Sequence, residues 1–139
     1  MKQKFFNLNI QTNGQNFYEF TNETLDWIKK NNLNDGILNL NIQHTSASLV
    51  VQENADPDVK TDLLNYFDKL VPMNISNYIH TIEGKDDMPA HIKSTLTNSH
   101  LTLSIKNGNL LLGTWQGIYL FEHRLSPTKR IIIHHFLGT

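Results

Sequence analysis

The chain has 139 residues, 39% of them hydrophobic and 18% charged, with a formal charge of -1. That is enough for one domain with one core, and the charge is too balanced to mark a binder of duplex nucleic acid or of an anionic membrane. The absence of cysteine excludes disulfides, thiolate metal sites and cysteine nucleophiles and fits a reducing cytoplasm. The opening MKQKFFNLNIQTNG lacks the apolar run of a signal peptide, and no later stretch approaches the roughly 18 apolar residues of a bilayer span, so a soluble protein is expected.

Residues 4–12 alternate apolar and polar after two phenylalanines, the period of a half-buried strand, and Asn13-Gly14 predicts a hairpin with residues 16–20 pairing back. Asn22 is placed to cap a helix reaching about Asn32, with Leu25 and Ile28 inward and Trp27 beside them. From Ile37 to His44, Leu38, Leu40, Ile42 and His44 share one face of a strand, and HTSASLVVQ continues as another after a bend at Thr45 and Ser46. Asp56-Pro57 reads as a cap and first helical position, and Val59, Leu63, Phe67 and Leu70 as the buried stripe of a helix ending before Pro72.

A polar loop around Gly84 then leads to a short helix from Pro89 to about Thr97, with Ile92, Thr95 and Leu96 inward. His91 falls in its first turn, where the positive end of the helix dipole favours a neutral imidazole, the form that a metal or a general base requires. Leu101, Leu103 and Ile105 alternate into a type I′ turn at residues 106–109, and the return strand carries Leu110 and Leu112 before an interruption at Gly113. Gln116, Ile118, Leu120 and Glu122 share one face of the next strand, opposite Trp115, Tyr119, Phe121 and His123. The last strand, residues 130–137, sends His134 and His135 to opposite sides. No repeat or linker divides residues 1–139, so a single α+β domain is expected, with about three helices against an antiparallel sheet or sandwich.

His44, His80 and His91 form the candidate metal set, since three imidazoles leave a coordination position open for water or substrate. The spacing carries no HExxH motif, and the alternative is three polar histidines satisfied by backbone bonds. Among the acids, Asp56 is accounted for as a cap and Asp58 as a first-turn acid. Glu122 ends an apolar face and needs a cation, a metal or a ligand beside it. Gln116, between two glycines, offers an amide where a ligand can come close. Ser46 is a candidate phosphate donor, and Arg124 and Arg130 supply cations, although solvated surface is the default for a lone basic residue. No GxSxG, GxGxxG or GxxxxGK[ST] motif occurs.

Four blocks in order, QHTSASL at 43–49, ENADPDV at 53–59, YIHTIEGKDDMPAHIKS at 78–94 and LGTWQGIYLFEHR at 112–124, resemble the YjbQ-like family of secondary thiamine-phosphate synthase enzymes. The resemblance implies a β-sandwich domain assembled as a homotrimer, with sites near subunit boundaries and a divalent ion, zinc or magnesium, at His44, His80 and His91. It places Glu53, Asn54, Asp56, Asp87, Gln116 and Glu122 in the motif blocks around them, and of these Glu53, Asp56, Asp87, Gln116 and Glu122 are the candidate catalytic residues. The implied activity joins a hydroxymethylpyrimidine diphosphate to a thiazole phosphate with release of pyrophosphate, and Arg124 and Arg130 are the expected phosphate contacts. The name "secondary" marks this as an activity that can stand beside another physiological reaction. The alternative is a trimeric metal- or metabolite-binding module without turnover.

Overall fold

In the computed structural model, which describes residues 1–139, the alternating stretches form eight strands in two antiparallel sheets. The larger sheet has the order β1-β8-β3-β5-β6, from β1 (Lys2–Asn13), β8 (Pro127–Gly138), β3 (Gly36–Ile42), β5 (His100–Lys106) and β6 (Asn109–Leu110). The smaller has the order β2-β7-β4, from β2 (Asn16–Glu19), β7 (Gln116–Glu122) and β4 (Ala47–Glu53). Their facing sides close on one apolar core: Leu38, Leu40, Ile132 and Phe136 from the larger sheet, Leu49, Ile118 and Leu120 from the smaller, and Trp27 and Ile28 from α1 (Thr21–Lys30). The expected α+β sandwich with three helices is what forms. On its outer side the smaller sheet carries Phe17, Tyr119 and Phe121, against which Leu63, Leu64 and Phe67 of α2 (Pro57–Leu70) pack. The third helix, α3 (Asp87–Leu96), packs on β4 with Ala90 fully buried.

Several local expectations give way to tertiary pairing. β1 and β2 do not form a hairpin; β1 pairs with β8 and β2 with β7, in different sheets. The Asn13-Gly14 turn is real, with Gly14 at φ 106, but Tyr18 fastens it by accepting from the Asn13 N–H and donating to the Gly14 carbonyl. α1 starts at Thr21 behind Phe20, so Asn22 is not its cap; the Thr21 hydroxyl instead accepts from the Ile118 N–H at 2.9 Å. β3 stops at Ile42, before His44. The stripe of α2 is only partly covered, Leu70 being 51% exposed, because that helix rests on the rim of the smaller sheet. The KNGN turn forms as expected, with Asn107 and Gly108 both at positive φ, but its return strand is only two residues long.

The outer face of the larger sheet is bare. Phe5, Ile37 and Leu137 are 62%, 54% and 45% exposed there, with His135 stacked on Phe5 at 4.2 Å. Strand alternation through the register puts only Lys106 and Lys129 on this face as formal charges, both at its margins.

Candidate metal centre

α3 begins two residues before Pro89 because the acids ahead of that proline are held in place. Asp86 Oδ2 accepts from Arg124 Nε and from the Leu125 N–H, each at 2.9 Å, and Asp87 Oδ1 accepts from the same guanidinium. Arg124 also donates to the Glu83 carbonyl at 3.0 Å, so one side chain from the end of β7 pins the whole loop. With Asp87 at the first helical position, His91 follows at i+4 on the same face. The inward face of α3 is therefore Asp87, Pro89, Ala90 and Lys93 rather than Ile92, Thr95 and Leu96; buried Lys93 donates to Asp68 at 2.7 Å.

His80 arrives from the loop and completes a cluster. Its Nε2 lies 2.7 Å from Asp87 Oδ2 and His91 Nε2 lies 3.1 Å from the same oxygen, so all three ligand atoms fall within 4.8 Å of one another. His91 Nδ1 sits 2.9 Å from the Thr45 carbonyl, which only accepts, so Nδ1 carries the proton and Nε2 turns its lone pair toward the carboxylate. Two acceptors that close repel unless a proton or a metal ion joins them. A carbonyl fixing the far nitrogen of a histidine is also the usual outer support of a metal ligand. The residues therefore fit a divalent ion, and two imidazoles with one carboxylate suit zinc and its neighbours better than magnesium. Asp87 is 2% exposed; burial pushes its carboxyl up, but the His80 hydrogen bond and the Arg124 charge outweigh it and hold the group below the usual carboxylate range, ionised for such a role.

His44, expected as the third imidazole ligand, does not join this cluster. Its Nε2 accepts the Ile131 N–H at 3.1 Å, and burial together with the Arg130 charge lowers its pKa, so the ring is neutral. The position expected for it is filled by Asp87. The signal available in the sequence was the Asp87–His91 spacing of four, which starting the helix at Pro89 concealed.

The remaining candidates separate into two regions. Glu122, Arg130 and Ser46 form a buried network: Arg130 Nε donates to Glu122 Oε2 at 2.6 Å, its terminal nitrogen reaches Glu122 Oε1, and the same nitrogen donates to Ser46 Oγ at 2.9 Å. Arg130 is 4% exposed, so its guanidinium faces Glu122 and not a solvent-borne phosphate. Glu53 and Gln116 face each other at the far end of the β4–β7 pairing from the Ala47–Glu122 pair. That end lies six residues away, roughly 20 Å at about 3.3 Å per residue. There Asp56 caps α2 through the Asp58 N–H at 2.9 Å, Gln116 Oε1 accepts the Gly113 N–H at 2.7 Å, and Glu53 Oε2 is buried without a partner.

Sequence reasoning did not single out Asp86, the Thr45 carbonyl or a sealed pair in which Ser48 Oγ lies 2.9 Å from His123 Nε2. Alternation put His123 on the Tyr119 and Phe121 face, but nothing local shows that α2 and α3 would cover it. Burial pushes its pKa down to about 3.

Fold and cluster together define a two-sheet α+β protein bearing a two-histidine, one-carboxylate candidate metal centre. A family profile described as UPF0047 protein YjbQ-like matches residues 6–139, and the chain belongs to that family. It is 46% identical to a UPF0047 protein of Synechocystis sp., over 93% of this chain and 88% of the relative. It is 44% identical to UPF0047 protein YjbQ of Escherichia coli O157:H7, over 98% and 97%. A conserved hypothetical protein of Thermus thermophilus superposes with a TM-score of 0.85 at 33% identity, covering 95% of this chain and 99% of that one.

Proposed function

We propose that this protein is a metal-assisted enzyme acting on a small phosphorylated metabolite in the cytoplasm. Its most assignable activity is the joining of hydroxymethylpyrimidine diphosphate to thiazole phosphate, which releases pyrophosphate. The observation that carries the metal is the meeting of His80, Asp87 and His91 around one carboxylate oxygen, with the His91 tautomer set by the Thr45 carbonyl. A divalent ion held there supplies Lewis-acid stabilisation of the charge on a departing diphosphate. The chain's own contribution is positional: Arg124 holds Asp87 ionised and oriented, and His80 and His91, with side chains 46% and 32% exposed, keep the cluster open to a metabolite. The activity itself is supported by the four sequence blocks shared with the YjbQ-like enzymes.

Self-association as a homotrimer belongs to the same proposal. It is supported by the bare face of the larger sheet, where Phe5, Ile37 and Leu137 stand exposed among uncharged polar residues and the formal charges lie only at the margins, since interface cores are depleted of charge. Ile37→Lys is expected to lower the sedimenting mass toward that of one chain; an unchanged mass removes this face as the contact.

Purified protein is expected to carry a divalent ion by elemental analysis and to release pyrophosphate from the two substrates. His80→Ala and His91→Ala are expected to lose the ion and at least a hundredfold in rate. Full turnover by chelator-treated, metal-free protein would falsify the proposal. Saturable binding of both phosphates by metal-loaded protein without pyrophosphate release would replace the enzyme by a binding module.

A further inference from the structure

Beside the cluster lies a cavity of about 360 Å³, lined by His44, His91, Ala47 and four hydroxyl residues, Thr45, Ser94, Thr95 and Ser99. It has no acid, lysine or arginine in its lining. The nearest guanidinium influencing His44 is that of Arg130, and Glu122 already neutralises it. A charged group placed here would give up water without meeting a counter-charge, whereas an uncharged polar group would exchange water for matched hydrogen bonds.

His44 decides the polarity of that exchange. A backbone N–H can only donate, so the Ile131 N–H at 3.1 Å from Nε2 makes Nε2 the lone-pair nitrogen and leaves the ring proton on Nδ1. Nδ1 has no partner within the chain and is not among its sealed, unpaired atoms, so it is a donor open to a ligand. Around it, the Thr95 hydroxyl donates to the His91 carbonyl and the Ser94 hydroxyl to the Ala47 carbonyl, which leaves their oxygens as acceptors. The Thr45 and Ser99 hydroxyls are uncommitted.

We infer that this cavity binds the uncharged, hydrogen-bonding ring of the phosphorylated ligand, a sugar or a heteroaromatic, and that His44 is the fixed donor that recognises it rather than a metal ligand. The volume falls in the range of small-molecule sites, and the shared wall at His91 puts the ring next to the cluster that would take its phosphate. The assignment of the ring pocket rests on the proposed metal centre; the assignment of His44 does not.

Two measurements separate these. In ¹⁵N-resolved NMR of the metal-free protein, His44 is expected to show a protonated Nδ1 and a bare Nε2, and to keep that pattern when zinc alone is added while His80 and His91 change. A His44 ring that responds to zinc as the other two do overturns the donor role. If none of the three responds, the metal centre fails and the His44 assignment is retained on its tautomer. In the second measurement, zinc-loaded protein is titrated with inorganic phosphate, ribose 5-phosphate and pyridoxine 5′-phosphate. At least one ring-bearing phosphate is expected to bind about tenfold tighter than inorganic phosphate, the scale of one net hydrogen bond, and which of the two it is tells sugar from heteroaromatic. His44→Ala is expected to erase that advantage while leaving zinc and inorganic phosphate binding unchanged, and His44→Gln, whose amide can both accept and donate, to restore part of it. Ring-bearing phosphates that bind no tighter than phosphate itself, or an advantage that survives His44→Ala, overturn the pocket.

Discussion

Glu122 is fully buried, and its two oxygens receive five hydrogen bonds, from Arg130 twice, from the Thr12 hydroxyl and from the N–H groups of His123 and Arg124. No lone pair is left for a reacting group, so the residue holds the end of β7 against β8. Truncating it would strand a buried guanidinium with only Ser46 beside it. Glu122→Ala is therefore expected to cost about 3–5 kcal/mol, read from the midpoint of urea unfolding. A loss below about 1 kcal/mol would show that the pair does not secure the sheet. An acid on an apolar strand face announces that it needs a partner, and that much is visible from alternation alone. Its partner, eight residues on, lies in the other sheet, and no local pattern points across that gap.

At the scale of elements, the helix termini decide which side chains meet. Pro89 is a sound signal for a first turn, yet α3 starts at Asp87 because Arg124 pins Asp86 and Asp87 from outside the helix. That two-residue shift moves His91 out of the first turn and onto the same face as a carboxylate. α2 shows the opposite case, with cap and start both set locally by Asp56-Pro57. Asp56→Ala is expected to cost about 1 kcal/mol and to loosen the first amides of α2 in hydrogen exchange, whereas Asp56→Asn, an equally good cap, should leave stability and any turnover intact. Turnover lost in the asparagine variant would return Asp56 to the catalytic list.

Across the whole molecule, stability should depend on pH through histidines sealed in as neutral rings. His134 is 0% exposed, set among Phe6, Phe20 and Trp27 with its Nε2 2.8 Å from the Thr24 hydroxyl, and burial pushes its pKa down from 6.5 to about 4. His123 shifts the same way. The unfolded chain therefore binds protons that the native state does not. The stabilisation is complete above pH 6.5, is lost progressively as the pH falls toward about 4, and amounts to about 3 kcal/mol for His134. Urea unfolding followed across this window should show stability rising with pH, and His134→Phe should reduce the slope near pH 5 by one proton. Equal slopes would place the proton uptake elsewhere.

From the residues in order come the two periods, 2 and 3.6, and with them the strands, α2, the KNGN turn and the α+β class, because each depends on neighbours a few positions apart. The blocks holding His80, Asp87 and His91 were legible for the same reason. Which strands pair, which group neutralises Glu122 and which imidazoles face a common point were settled only by the tertiary structure. Gly14 opens a turn between two sheets rather than a hairpin. Ile131 takes the Nε2 that His44 would need for an ion, and Arg124 brings Asp87 to the place left open. Those outcomes rest on contacts between residues 37 to 110 positions apart, and no window on the chain is wide enough to contain them.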